Sequence, residues 1–383
     1  MSADQEASDS KQAVIAIVGG GFRTRAFLGV VRELPSRFRI CGVVTRSADN
    51  GLSLEKGWGV PTYRTVDELL SICSPDFVIV SVMSGVTPGM ITEITRHGLP
   101  VLTETPPASD VEGLRPLHKL DRSGARIQVA EQHHLEPLLR SQISIARSRR
   151  MGNVTEVSVS VCHDDNGIGV LRRFLGIGFE DAIITGHEFV TTMKAGSERA
   201  GDRREDRMME EVHTTARLDF GNRLGTYDFS TDQYRSWIRS HHVVVRGDLG
   251  ELHDDELRYL QDFLTPILIS INRVGTGGAG NHEGFYLRGL TFGDEWVSSN
   301  EFAPARLADD DLSIAILLVR INDYVHGDPE VYSLAEASQD HDLQLMVRRA
   351  VQSRESIRTE QQPWVRLRDH QVWEYPSARL LRP

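Results

Sequence analysis

The 383-residue chain sets 43 Lys and Arg against 54 Asp and Glu, a net charge of −11, with 40% hydrophobic and 25% charged residues. That composition suits a globular chain of two domains, each able to bury a core. The acidic balance speaks against a nucleic-acid partner, and no apolar run nears the roughly 18 residues a membrane helix needs.

Residues 1–12 are polar, lack a signal-peptide pattern and read as a disordered tail. The run Val14-Ile15-Ala16-Ile17-Val18 is apolar and mostly β-branched, as in a strand buried on both faces. Gly19-Gly20-Gly21 breaks it, and residues 23–34 resume with helical spacing. Strand, glycine turn and helix set backbone N–H groups and a helix N-terminus against a pyrophosphate. Gly19 suits the tight turn and Gly21 a close phosphate approach, while Thr24 stands where the fingerprint prefers Gly or Ala. The spacing then predicts strands over 39–45, 76–82, 98–104 and 126–130, and helices over 66–72, 88–97 and 114–122. Repeated βα units imply a parallel, doubly wound sheet with its ligand crevice at the carboxyl ends of the strands. The candidate cofactor contacts are therefore Gly19, Gly21, Phe22, Arg23 and Thr24; Thr45, Arg46 and Ser47; Val82, Met83 and Ser84; Glu104, Thr105 and Pro106; and Gln132. An NAD-preferring fold carries Asp or Glu at the end of its second strand. Thr45-Arg46-Ser47 instead pairs hydroxyls with a guanidinium, which suits the 2′-phosphate of NADP, with NAD the alternative.

Past residue 150 the pattern changes to successive strands, over 154–161, 211–220, 224–229, 242–245 and 267–271, as in a large, mostly antiparallel sheet. Residues 275–281 read as a flexible glycine loop, and amphipathic helices are expected over 309–325 and 341–353. The aromatic run 363–383 reads as an arm packed on its own domain or on another subunit. The arginine pairs 149–150 and 348–349 read as solvated helix-end charges. Cys41, Cys73 and Cys162 are odd in number and far apart, fitting a reducing cytoplasm rather than a disulfide framework.

The order of these elements resembles the glucose–fructose oxidoreductase, inositol dehydrogenase and rhizopine-catabolism dehydrogenase family (Gfo/Idh/MocA). The carriers are Val18-Gly-Gly-Gly-Phe-Arg23, Val43-Val-Thr-Arg-Ser47, Gly98-Leu-Pro-Val-Leu-Thr-Glu104-Thr-Pro106, His134-Leu-Glu-Pro137 and Val245-Arg-Gly-Asp-Leu-Gly-Glu251. The resemblance implies a Rossmann domain over 13–132, an open-sheet α/β substrate domain over 133–353 and a C-terminal arm over 354–383. It also implies a homo-oligomer, dimer or tetramer, joined through the second sheet, and the cysteine usage makes it cytoplasmic. Its chemistry would be hydride transfer between NAD(P) and a sugar-like or small carbonyl or imine substrate.

The family's catalytic set is altered here. Its Glu-Lys-Pro motif reads Glu104-Thr105-Pro106, so a neutral hydroxyl stands where the family places a cation beside the reacting oxygen. Counting back from Gly176 sets Asn166 in the histidine position and Cys162 in the aspartate position, and Asn has no titratable proton. A second register would use Thr185-Gly186-His187, but Ile183 then stands where the aspartate belongs and the flanks read as strand. Proton handling falls to His163, His134, Tyr234 or water. Each has a bland alternative: a helix flank for His163, a loop histidine for His134, and a sheet surface or interface for Tyr234 and its neighbours Arg235, Trp237 and Arg239. A degenerate member serving as accessory protein, or a lyase or hydrolase using bound cofactor without turnover, remains the alternative function. No histidine spacing suggests a metal site.

Overall fold

The computed structural model describes residues 12–198, 205–277 and 284–365. Residues 1–11 of the expected N-terminal tail, four residues of the glycine loop and most of the aromatic arm lie outside them. Described residues within Met1–Leu135, Gly275–Leu287 and Asn300–Leu334 form one compact unit, and those within Glu136–Val274, Arg288–Ser299 and Ala335–Pro383 form another.

In the first unit the chain runs β1 (Ala13–Val18), α1 (Phe22–Glu33), β2 (Phe38–Val44), α2 (Ala48–Trp58), β3 (Thr62–Tyr63), α3 (Val66–Ile72), β4 (Phe77–Val80), α4 (Thr87–Arg96), β5 (Val101–Thr103), α5 (Val111–Arg122) and β6 (Ile127–Val129). Its six strands are parallel in the order β3-β2-β1-β4-β5-β6. Strand order reverses between β1 and β4, the switch point of a doubly wound fold. The apolar runs of β1, β4 and β5 are almost wholly buried, as a sheet covered on both faces requires. Local capping sets the helix starts: Ser47, Thr65 and Asp110 accept hydrogen bonds from the backbone N–H groups of Asn50, Glu68 and Gly113. The helix α2 and the strand β3 escape sequence reading because α2 buries only Gly51 and Leu54 and β3 has two residues.

The second unit follows with α6 (Pro137–Ala146), β7 (Val154–Ser160), α7 (Asp164–Leu175), β8 (Ile183–Lys194), β9 (Met208–Asp219), β10 (Leu224–Ser230), β11 (His242–Gly247), β12 (Gly250–His253), β13 (Glu256–Asp262), β14 (Thr265–Gly275), β15 (Leu287–Phe292) and β16 (Glu295–Ser299). Then come α8 (Asp309–Val325), which packs on α1 in the first unit, α9 (Leu334–Ser353) and β17 (Ile357–Arg358). Eleven strands form one sheet, β16-β15-β14-β13-β12-β11-β7-β10-β9-β8-β17. Its described pairings are antiparallel except β7 with β10, and α7 lies on those two central strands. Helix α9 starts seven residues before the expected boundary at 341. Its first turns bury Ser338, Gln339 and Asp340, polar positions that hide the apolar period. Trp364, at the start of the aromatic run, is buried and donates its indole N–H to Gln339 at 3.1 Å.

Candidate functional site

The glycine turn sits at the carboxyl end of β1. Gly19 has φ +125°, and a Cβ there would lie 2.0 Å from the Ser81 carbonyl oxygen, so this backbone admits only glycine. A Cβ at Gly20 would meet the Asn50 side-chain nitrogen at 2.1 Å, whereas one at Gly21 would meet nothing within 4 Å. Gly21 is the N-cap of α1, gives no side-chain cap, and no acidic residue follows in the first turn. The N-terminus of α1 thus presents backbone N–H groups and a positive dipole end, an arrangement that suits an anion. The residues present suit the pyrophosphate of a dinucleotide.

At the end of β2 the expected trio divides. Thr45 is buried, and the Ser47 hydroxyl caps α2 by accepting from the Asn50 N–H at 3.2 Å. Arg46 is exposed. Two arginines that the sequence reading missed flank it. Arg64 donates to the Thr45 carbonyl at 3.1 Å, and Arg25 reaches the Gly20 carbonyl and the Asn50 amide oxygen at 3.4 Å. Asn50 ties the loops together by donating to the Gly20 carbonyl at 3.0 Å. No local pattern marks these three residues, because each acts across a loop distant in sequence.

Across the sheet, Arg23 in the first turn of α1 reaches the ends of β5 and β6. Its Nε donates to Glu104 at 3.0 Å and its Nη2 to Gln132 at 3.0 Å, and Gln132 donates in turn to Asp310 of α8 at 3.4 Å. Burial raises the Glu104 carboxyl above the usual carboxylate range, against the pull of Arg23. Burial opposes the Arg23 charge, but Glu104, Asp310 and Glu131 outweigh it and hold the guanidinium above its usual value. Glu104 Oε1 is buried without a hydrogen-bond partner. Thr105 and Pro106, joined by a cis peptide, follow at half-exposed positions, and Phe22 and Met83 are exposed. Val82 and Ser84 lie in the half-exposed turn after β4.

Three expectations in this unit need correction. His134 does not face the crevice: it is buried with its ring 5.6 Å from that of Tyr332. Thr24 is fully buried, packing where a small fingerprint residue would. Gln132 is buried, its amide oxygen accepting from Arg23 and its amide nitrogen donating to Asp310, so it braces the arginine.

In the second unit the structure joins two residues that the sequence reading proposed separately. The Tyr234 hydroxyl lies 3.3 Å from His163 Nδ1 and accepts from the His163 backbone N–H at 3.1 Å. The Tyr234 ring meets His163 and His241 edge-on at 5.5 and 5.7 Å, with Phe229 at 5.1 Å. Next to His163, Asp164 takes φ +49° and donates its N–H to the Tyr227 hydroxyl at 2.9 Å. Burial raises the phenol of Tyr227 well above its usual value. Asn166 is buried in the first turn of α7. His187 is exposed on β8, in agreement with the strand reading of its flanks.

The acidic flank of α7 is not a simple cap, since α9 grips it. His341 Nδ1 lies 2.9 Å from the Asp165 carboxylate, and Gln344 and Arg348 reach Asp164 at 2.7 and 3.0 Å. Arg348 is thus paired rather than merely solvated, and Arg150 stacks over Tyr259 and Phe292 at 5.8 and 5.4 Å. Arg239 is held by both oxygens of Glu211, at 2.8 and 2.6 Å, which removes it from the expected ligand-binding group. The arm of that group from 233 to 235 is a short 3-10 turn, not sheet.

Residues 14–131 match the Gfo/Idh/MocA family, described as an oxidoreductase family with an NAD-binding Rossmann fold. Among solved structures the fold is similar to that of the WlbA dehydrogenase from Bordetella pertussis in complex with NADH and UDP-GlcNAcA (TM-score 0.60, 15% identity, 91% of this chain and 99% of that one). It is similar too to GenD2 from gentamicin A biosynthesis in complex with NAD (TM-score 0.63, 18% identity, 91% and 97% covered). A third is the myo-inositol 2-dehydrogenase from Lactobacillus plantarum (TM-score 0.62, 13% identity, 91% and 100% covered). A search of curated protein sequences finds no match. No described helix is long and apolar enough to cross a membrane.

Proposed function

We propose that this chain, whose residues 14–131 carry the NAD-binding Rossmann domain of the Gfo/Idh/MocA oxidoreductase family, transfers hydride between NADP and a sugar-like or small carbonyl or imine substrate. The observation that carries the reading is the open Gly21 turn feeding an uncapped α1 N-terminus inside the matched segment. In this reading the Gly21 turn and the N-terminal N–H groups of α1 hold the pyrophosphate. Arg46, with Arg64 beside it, holds the 2′-phosphate. The bound nicotinamide supplies the hydride chemistry. The proton route is assigned to His163, which the Tyr234 hydroxyl orients. The substrate domain of a homo-oligomer would be the second unit.

Titration of NADPH and NADH into the protein by fluorescence tests the assignment. NADPH binds more tightly, and Arg46→Ala weakens it by about tenfold to a hundredfold, the worth of a charge-assisted hydrogen bond, while leaving NADH unchanged. Equal losses for both nucleotides would reject the phosphate role of Arg46, and no binding of either would reject the oxidoreductase reading. Thr105 and Asn166, neutral where the family carries Lys and His, favour one second reading: a cofactor-binding accessory protein, which binding without turnover across a carbonyl, imine and sugar panel would support.

A further inference from the structure

We propose that Arg23, clamped by Glu104 and Gln132, is the fixed cation that sets the relative affinity of the first unit for reduced and oxidised nicotinamide nucleotide. The proposal rests on the nucleotide reading above and goes beyond it. In a doubly wound fold the adenosine ribose is read at the end of the second strand, so the other half of a dinucleotide falls beyond the switch point, over β4 and β5. Strands lie about 4.8 Å apart, which puts the end of β5 about 10 Å from that of β1. Arg23 starts beside β1, yet its guanidinium is bonded at the ends of β5 and β6. The side chain therefore crosses the carboxyl edge of the sheet on the nicotinamide side.

Two anchors from different strands hold it in place, and 24% of the side chain is exposed. Its Nε and Nη2 are engaged, which turns the guanidinium into a preorganised charge rather than a mobile one. Positions 101–113 hold no lysine or arginine, so Thr105 and its neighbours supply no competing cation. Around Arg23 stand the carboxylates of Glu104, Glu131 and Asp310, so its charge counterweighs these acids, and removing it leaves their negative field on the crevice uncompensated. The oxidised ring is cationic and the reduced ring neutral. A guanidinium within several ångströms disfavours the oxidised form, whereas a contact to phosphate would favour both forms alike.

Calorimetric titrations with NADP+, NADPH and 2′-phospho-ADP-ribose, or the unphosphorylated set if that binds more tightly, test the proposal. Arg23→Gln keeps a donor for Glu104 and removes the charge. It shifts the affinity ratio about tenfold toward the oxidised nucleotide, a Coulomb effect of the expected size, and leaves the ribose fragment unchanged. Glu104→Gln removes the partner anion and shifts the ratio the opposite way. It also decides the matter if circular dichroism shows Arg23→Gln to be unfolded. A purely structural arginine moves the melting temperature and not the ratio. Equal losses for all three ligands, or an unmoved ratio, overturn the proposal while the nucleotide reading stands. Failure of the unsubstituted protein to bind any of them overturns both.

Discussion

Gly19 and Gly20 are neighbours with different obligations. At Gly19 a side chain meets backbone, the Ser81 carbonyl at 2.0 Å, at a φ of +125° that L-residues resist. At Gly20 the obstacle is the flexible end of Asn50. Gly19→Ala is therefore expected to cost about 3 kcal/mol or more, from strain and a backbone clash together. Gly20→Ala should cost about 1 kcal/mol, as the Asn50 bonds break and its amide swings to solvent. Urea denaturation of the two variants checks the difference, and similar losses would contradict it. At this scale the sequence was legible where a residue type answers to backbone geometry, as at Gly19 and Gly21. It was illegible where a side chain acts across the fold: nothing local to Arg64, Asn50 or Asp310 marks them. His134 misled for the complementary reason, since a histidine after a strand reads the same whether it faces a crevice or packs against Tyr332.

The pairing of α7 with α9 shows the same division between elements. Helix α7 begins Asp164-Asp165 and ends Arg172-Arg173, while α9 offers Glu336 and Asp340 early and His341, Gln344 and Arg348 later. Acid at the start of one helix meets base toward the end of the other, and the buried Arg172 guanidinium is bonded to Asp340 and to the Gly178 carbonyl. The polar residues that make this contact are those that hid the first turns of α9 from a hydrophobic period. The same burial makes Asp342 costly: it is pushed up to about 6, by desolvation above all, with Gln362 and His341 pulling the other way. Folded protein thus holds the Asp342 proton to higher pH than unfolded chain does, so its contribution is full below the ordinary aspartate range and is lost as pH rises toward 6. Asp342→Asn is expected to raise the melting temperature at pH 8 and leave it nearly unchanged at pH 3.5. An equal shift at both pH values would show that the charge is not the cause.

For the whole molecule, the βα alternation was enough to foresee a parallel sheet, because both faces of such a sheet must be apolar. The second sheet was foreseen in kind but not in extent. Strands such as Gly250–His253 and Glu256–Asp262 are short and charged, and they exist because each pairs with a neighbour rather than because of their own pattern. One face of that sheet leaves large apolar side chains in water, among them Phe189 at 66% exposure on β8, with Leu260 and Leu268 on β13 and β14. Exposed apolar side chains on a sheet face suit an association surface, and a standard interface of about 1,600 Å² would span several strands. Self-association through this sheet is therefore expected. Light scattering after size exclusion should give a mass of twice or four times that of one 42.9 kDa chain at micromolar concentration. Phe189→Asp, which puts a carboxylate into the covered face, should move the population toward the single chain without lowering the circular-dichroism signal. A monomer before substitution would reject self-association, and an assembly untouched by the substitution would place the contact elsewhere.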